Sequence, residues 1–376
     1  MPPLRIGIDA REVLGDATGV GRYLAELLIR WTARPDRGRR RFVLYAPEPI
    51  RLPLPPDAVE ARILEPSGPR ALARGGRGTW WEQTALRRAV RHDPLDLFFA
   101  PAYTAPLGVR VPLAVTIHDV SFLAHPEWYR ATEGLRRRWL TARAAAAASI
   151  VFTDSAFSRS EIERFLRVDP RRVRVVPPGV SPRHRGGSAP ARREPLVLYA
   201  GSLFNRRRLP DLIRAFARAT TAMAAAHLVI VGDDRTWPPQ DLAAIAAAEG
   251  VASRVQLRSY VSDGKLAELY ARASAFVFLS EYEGFGLTPL EALAAGVPVI
   301  VLDTAVAREV YGPAASYVAP GDLDGTAALI RTLLTRPDAG APTLAHAPGV
   351  LARYSWERAA DETLADLERL ASASRA

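Results

Sequence analysis

Residues 281–300 read Glu-Tyr-Glu-Gly-Phe-Gly-Leu-Thr-Pro-Leu-Glu-Ala-Leu-Ala-Ala-Gly-Val-Pro-Val-Ile. An apolar run, Ala275–Leu279, precedes the segment, and another, Val297–Leu302, closes it. The order is therefore strand, Gly-Phe-Gly turn, helix and strand. In an open parallel sheet, ligands bind at the turns outside the carboxyl ends of the strands. Glycines there let the backbone approach a ligand closely, and amides at a helix start bind anionic or hydroxyl oxygens. Glu283 and Glu291 flank this turn and suit the hydroxyls of a sugar or ribose. A second reading is open at this point. Thr288 fits an N-cap, Pro289 the first helical position and Glu291 the closing residue of a capping box.

The same strand–helix alternation extends in both directions. Ahead of the run, strands are expected at Leu4–Asp9, Phe42–Ala46, Leu95–Phe99, Leu113–His118, Ile150–Thr153 and Val173–Val176. Helices are expected near Val20–Trp31, Thr79–Arg91, Glu127–Ala148 and Ser155–Leu166. Residues 177–195, rich in Pro, Gly, Ser and Arg, read as a linker. The alternation then restarts, with strands at Leu196–Ala200, His227–Val231 and Val255–Leu257 and helices near Leu209–Thr220, Asp241–Glu249, Asp263–Ala273, Thr288–Ala295 and Leu323–Leu334. Two such series predict an α/β chain of two doubly wound parallel sheets. A final helix near Trp356–Leu370 has Ser355 as its expected N-cap.

The 376 residues, 48% of them apolar, suffice for two cores. The start of the chain enters a strand pattern directly, with no signal-peptide pattern, and no apolar run reaches the ~20 residues of a membrane-spanning helix. The absence of cysteine excludes disulfides and thiolate metal sites, and fits a cytoplasmic protein. The net charge of +10 is concentrated in residues 1–185, the remainder being close to neutral. A basic first half fits an anionic partner such as a membrane surface. Biased use of Arg over Lys, with Lys265 the sole lysine, accounts for the residue type but not for the asymmetry. Asn205 is the sole asparagine and Met and Gln are sparse, a depletion expected of a thermophilic source and equally of a GC-rich genome.

Four further segments carry chemistry. Gly201-Ser-Leu-Phe-Asn-Arg-Arg-Arg-Leu-Pro210 follows the first strand of the second series. A small-residue turn with guanidinium groups at a strand end suits a diphosphate, although three arginines in a row also fit a solvated charged stretch. Thr18-Gly-Val-Gly-Arg-Tyr23 opens the first helix, where Gly19 and Gly21 leave amides exposed. Val115-Thr-Ile-His-Asp-Val-Ser-Phe-Leu123 ends a strand with His118 and Asp119, a pair that also fits a structural histidine and a turn cap. Arg258-Ser-Tyr-Val-Ser-Asp263 joins a strand to a helix capped by Ser262. The sole Asp-x-Asp of interest, Asp322-Leu323-Asp324, reads as a helix start. No His or Cys set suggests a metal, and no Walker lysine motif or nucleophile elbow is present.

Together these segments resemble, in order and over nearly the whole chain, the retaining glycosyltransferases of family 4 (group 1) with the GT-B fold. Residues 283–291 are similar to that family's E-x7-E signature, and residues 201–210 to its Gly-x-Leu-x-x-Arg-Lys-Asn-Leu-Pro motif. The resemblance implies two Rossmann-like domains facing a cleft. An acceptor domain would span 1–182 and a nucleotide-sugar donor domain 183–354, with a terminal helix, 355–376, crossing back to the first. It implies that Arg206 and Arg207 bind the donor diphosphate and that Arg208, in place of the family's Asn, points elsewhere. Glu283 with the Phe285, Gly286 and Leu287 backbone would hold the sugar, and Glu291 the ribose. Gly19, Gly21 and Gly201 would lie by the phosphates, and the Val261 backbone by the base. His118 would contact the sugar, and Asp119 would orient the imidazole or bind the acceptor. Domain closure would assemble these parts. The implied reaction moves a hexose, mannose from GDP-mannose by overall similarity, with UDP- or ADP-glucose as the alternative donor. The acceptor would be a glycan or lipid-linked hydroxyl in cell-envelope polysaccharide or glycolipid synthesis, on the inner face of the membrane, with neither cofactor nor metal. A non-catalytic nucleotide-sugar-binding protein is the rival of another class. Nucleic-acid binding is not expected, because no aromatic platform accompanies the arginines.

Overall fold

The computed structural model describes residues 2–15, 19–65, 77–180, 193–336 and 338–375. The chain forms two compact units. One comprises Met1–Ala124, Ala131–Gly179 and Ser355–Ala376, the other His125–Arg130 and Val180–Tyr354. Most of the expected linker, 181–192, and Thr18 of the first glycine loop lie outside the described residues.

The first unit holds seven parallel strands: β1 (Leu4–Asp9), β2 (Arg40–Ala46), β3 (Val59–Ile63), β4 (Leu97–Ala100), β5 (Leu113–Thr116), β6 (Ile150–Thr153) and β7 (Val173–Val175). Their order is β3-β2-β1-β4-β5-β6-β7, so the direction of winding reverses between β1 and β4. Both faces of the sheet are covered at its centre, which is why β4 and β5 are short, fully buried and almost wholly apolar rather than alternating. Trp31, from the helix Gly19–Ala33, stacks on Phe42 at 5.5 Å, and its indole N–H donates to the carbonyl of Ala360 at 2.8 Å. That carbonyl belongs to the terminal helix Trp356–Arg375, which buries Trp356, Ala360, Leu364, Leu367 and Ala371 in this core. The helix expected to return to the first domain does so. Ser355 caps it, Oγ accepting from the Arg358 N–H at 3.3 Å.

The second unit repeats the plan with six parallel strands: β8 (Glu194–Ala200), β9 (His227–Val231), β10 (Val255–Arg258), β11 (Ala273–Phe278), β12 (Val299–Leu302) and β13 (Ala315–Val318). The order β10-β9-β8-β11-β12-β13 reverses between β8 and β11. The architecture is thus the expected pair of Rossmann-like sheets. Among the described residues no helix is long and apolar enough to cross a membrane.

Several elements depart from expectation. Strands β3 and β13 were not anticipated, and neither was the helix Ala305–Tyr311, capped by Thr304. The helix expected over 127–148 begins at Ala131, because Pro126–Trp128 closes a tight turn and Tyr129 is extended. Residues His125–Arg130 group with the second unit, inside the span expected for the first domain. There the His125 ring stacks on Trp128 at 4.0 Å and meets Tyr282 edge-on at 5.4 Å, while Arg130 covers Trp237 at 4.7 Å.

Candidate active site

In the second unit the turns after β8 and β11 stand side by side, at the point where the strand order reverses. Such switch points are where open α/β sheets take their ligands. After β8, Gly201 adopts φ +139° and the chain forms a short turn over Asn205–Arg207. Arg208 then takes a left-handed conformation, φ +48°, and the helix Leu209–Ala219 begins. This bend separates the three arginines. Arg206 and Arg207 turn inward, whereas Arg208 pairs with Asp211 at 2.6 Å and Glu281 at 2.5 Å. The solvated reading of the run fails, because Arg206 and Arg207 side chains are only 8% and 13% exposed.

Both inward arginines meet Glu283, from the turn after β11. Arg207 Nε donates to Glu283 Oε1 at 2.8 Å, and Arg206 Nε lies 3.6 Å from the same oxygen. Ser280 Oγ donates to it as well, at 2.8 Å. Arg207 is further fixed by donation to the Ser202 carbonyl at 2.7 Å and the Tyr199 hydroxyl at 3.3 Å. Its guanidinium covers Phe278 at 5.0 Å. Burial alone would raise the pKa of Glu283, but Arg207 and Arg206 outweigh it and hold the carboxyl at about 2. Gly201 belongs to this packing: a Cβ there would stand 2.7 Å from Arg207 Nη1. The three charged side chains sum to one positive charge, a balance suited to a phosphate-bearing ligand.

Glu291 is buried on the helix Leu287–Ala294, 3.4 Å from the Tyr270 hydroxyl. The capping-box reading of this segment is overturned. Gly286, at φ +93°, occupies the cap position with no side-chain cap bond, and Thr288 and Pro289 already lie inside the helix. The cap fell to glycine because the turn needs a positive φ, which threonine resists. Phe285 is buried edge-on against Tyr354 at 5.0 Å. Val261 is half-buried in the loop before the helix Asp263–Arg272, which Ser262 caps by accepting from the Lys265 N–H at 3.3 Å. Asp322 likewise caps the helix Leu323–Thr335, and Asp324 pairs with Arg218, so the Asp-x-Asp is a helix start. Among the described residues no group of three or more His, Asp or Glu is placed to hold a metal.

In the first unit, Gly19 and Gly21 form the first turn of their helix. Asp9, the last residue of β1, and Arg11, just beyond it, join Glu82 in a buried cluster: Arg11 pairs with Asp9 at 3.2 Å and with Glu82. Burial first, with Glu82 nearby, pushes Asp9 up to about 7 against the pull of Arg11. Sequence reading missed Glu82. No sequence pattern marks it; in the structure it opens a π-helical turn, Glu82–Leu86, a rare geometry concentrated at functional sites.

His118 and Asp119 follow β5 but do not pair, so of the two roles expected of Asp119 the orienting of the imidazole falls away. The carboxylate against the imidazole is Asp154, with Nδ1 and Oδ2 2.8 Å apart. Asp119 instead accepts from the Ser121 amide and hydroxyl at 2.8 and 2.6 Å, and from the Tyr103 hydroxyl at 3.2 Å. It caps the turn at Ser121 because that amide is two residues away, a local bond that wins over the ring. Asp154 was legible only as an acid at the carboxyl end of a parallel strand. Tyr103, whose ring lies edge-on to His118, is held at φ +61°.

The sequence model of "Glycosyl transferases group 1" matches residues 180–345, and that of "Glycosyltransferase Family 4" matches residues 17–184. The chain belongs to the group 1, family 4 glycosyltransferases. It is 28% identical to O-antigen chain mannosyltransferase B of Escherichia coli over 73% of this chain and 75% of that one. It is 27% identical to the MMP α-(1→4)-mannosyltransferase of Mycolicibacterium hassiacum, over 86% and 82%. Among solved structures, Anabaena Alr3699/HepE in complex with UDP and glucose superposes with a TM-score of 0.73 at 18% identity, over 97% and 99% of the two chains. The fold of this glycosyltransferase is GT-B.

Proposed function

We propose that this glycosyltransferase moves mannose, with retention and without a catalytic metal, from GDP-mannose to a hydroxyl of a glycan or lipid-linked acceptor in cell-envelope glycan synthesis. The observation that carries the reading is the convergence of Arg206, Arg207 and Glu283 at the switch point of the second unit. On donor binding, the guanidinium groups take the diphosphate and offset its charge as it departs. Glu283 and the backbone of Phe285–Leu287 hold the sugar, Glu291 the ribose, and the Val261 backbone the base. His118 touches the sugar and Asp119 the acceptor. The bond from the anomeric carbon to the diphosphate breaks and a bond to the acceptor oxygen forms on the same face. The acceptor proton passes to the leaving phosphate. The chain thus works by positioning and by charge. Mannose as the sugar is supported by the mannosyltransferase relatives.

A donor panel of GDP-mannose, UDP-glucose and ADP-glucose, each with a polyprenyl-linked acceptor and excess chelator, tests this. Release of GDP alone is expected. Release from another donor would replace mannose, and thermal stabilisation by donors without any release would reduce the chain to a binding protein.

The acceptor side of the proposal includes an anionic membrane surface. On the helix Ala131–Ala147, Leu135 and Trp139 lie one turn apart, 66% and 53% exposed, and Arg143 follows one turn on, its guanidinium 5.9 Å from the Trp139 ring. Exposed Trp and Leu with basic flanks fit a lipid interface, each Lys or Arg near an anionic surface contributing about 1 kcal/mol. In flotation, the protein is expected to rise with phosphatidylglycerol vesicles and not with neutral ones, and Trp139→Ser to weaken the association. Equal binding to both vesicle types would remove this part of the proposal.

A further inference from the structure

His118 faces a hydrogen-bond acceptor at each ring nitrogen. Nδ1 stands 2.8 Å from Asp154 Oδ2, and Nε2 stands 3.1 Å from the carbonyl oxygen of Pro101. A carbonyl only accepts, so Nε2 carries a hydrogen. A neutral ring would then turn the Nδ1 lone pair toward a carboxylate, which repels it. The geometry is satisfied when the ring holds both protons and Asp154 holds the negative charge.

The surroundings fix that pair in place. Tyr23 and Tyr103 meet the His118 ring edge-on at 5.0 and 5.6 Å, and the Ser158 hydroxyl donates to the His118 carbonyl at 3.0 Å. The Asp154 side chain is 9% exposed, and its Oδ1 is buried with no hydrogen-bond partner among the described residues. Its carboxylate therefore leans on the imidazole alone. Asp119, the other nearby carboxylate, is taken up by Ser121 and Tyr103. Burial by itself lowers the pKa of His118; the charge and hydrogen bond of Asp154, with smaller contributions from the Pro101 carbonyl and the Asp119 charge, together raise it by more, and the net shift is upward.

We propose that Asp154 is a positioning residue for transfer: it locks His118 as a fixed imidazolium and so removes the ring as a general base at neutral pH. This rests on the reading in which His118 touches the transferred sugar. The ring then offers the reaction a fixed orientation and charge, and the acceptor proton has to leave toward the departing phosphate.

Two measurements on the full chain test the assignment. In the 15N-labelled protein, with the His118 ring signals identified by their loss in His118→Gln, the ring is expected to keep imidazolium shifts from about pH 6 to 8. In Asp154→Asn the ring, buried without its counter-charge, is expected to titrate below its ordinary range. In transfer assays Asp154→Asn is expected to lose about tenfold or more in kcat at pH 8, with donor KM nearly unchanged, and to recover toward pH 5.5. Asp154→Glu restores the alkaline activity. A neutral ring in the wild type at pH 7 overturns the lock, and wild-type rates across the pH range in Asp154→Asn overturn the positioning role. The ring titration needs neither donor nor turnover, so it separates failure of this pair from failure of the glycosyltransferase reading. Should Asp154→Asn not fold, the wild-type titration still decides the lock.

Discussion

Arg207→Ala is expected to lower transfer at saturating donor by about 10²- to 10³-fold, the usual effect of removing one preorganised charge-stabilising group. It is also expected to destabilise the second unit, for a separate reason. Glu283 would remain buried with its 2.8 Å charge partner gone, left with the Ser280 hydroxyl and, as counter-charge, only Arg206 at 3.6 Å. Breaking a buried pair from one side costs about 3–5 kcal/mol, because a charge is left uncompensated. The two effects separate in the Arg207→Ala, Glu283→Ala double variant, which removes the orphaned charge. That variant is expected to regain melting temperature relative to Arg207→Ala while transfer stays low. Arg207→Lys keeps the charge but cannot reach Glu283, the Ser202 carbonyl and the Tyr199 hydroxyl together, and an intermediate rate is expected. A wild-type rate in Arg207→Ala would end the diphosphate assignment. The pair also fixes an acid limb. The Glu283 carboxyl lies at about 2 in the folded chain against an ordinary 4.5, so its stabilisation is complete above pH 4.5 and drains as pH falls toward 2. Glu283→Gln should lose that limb in thermal melts.

How far the sequence carried depends on whether a feature is local. Strands β1, β6 and β9 coincide with their expected spans, β6 and β9 because each is a nearly unbroken apolar run and β1 because Leu4, Ile6 and Ile8 alternate at the period of a strand. Strand β3 escaped because it is a sheet edge whose Val-Glu-Ala-Arg-Ile run interleaves charges and leaves its last three residues exposed, and nothing in such a pattern separates it from a loop. The helix Ala305–Tyr311 is only seven residues long, too short for its periodicity to emerge. In the site, the turns after β8 and β11 were legible by position and residue type, but their pairing was not. Arg207 and Glu283 are 76 residues apart, and only the reversal of strand order between β8 and β11 brings them together. The division of labour within Arg206–Arg208 was equally hidden, since it depends on the left-handed turn at Arg208. Asp154 and Glu82 were missed for the opposite reason. Each is a lone acid with no motif around it, and its partner lies on another element.

Gly286→Ala is expected to cost roughly 3 kcal/mol or more and to weaken donor binding, for reasons that one companion variant can dissect. The residue sits at φ +93°, where a side chain is strained by about 1–3 kcal/mol. The larger obstacle is steric. A Cβ at Gly286 would stand 2.1 Å from the Tyr311 hydroxyl oxygen, which is itself held by donation to the Gly286 carbonyl at 2.9 Å. Tyr311 is 2% exposed, so its ring has no room to retreat. The next ring atom, Cζ, would lie 3.4 Å from that Cβ, an ordinary contact. Tyr311→Phe alone forfeits the hydrogen bond and should cost about 1 kcal/mol. Combined with Gly286→Ala it removes the clashing atom, and the double variant is expected to melt above Gly286→Ala alone, a sign reversal that simple additivity forbids. If the double variant melts lower than either single one, backbone strain rather than the hydroxyl sets the requirement for glycine. Donor KM provides the functional readout. Gly286 heads the helix that carries Glu291, so a shifted turn moves the Phe285–Leu287 backbone and that carboxylate together. KM should therefore rise in Gly286→Ala and fall back in the double variant in step with stability.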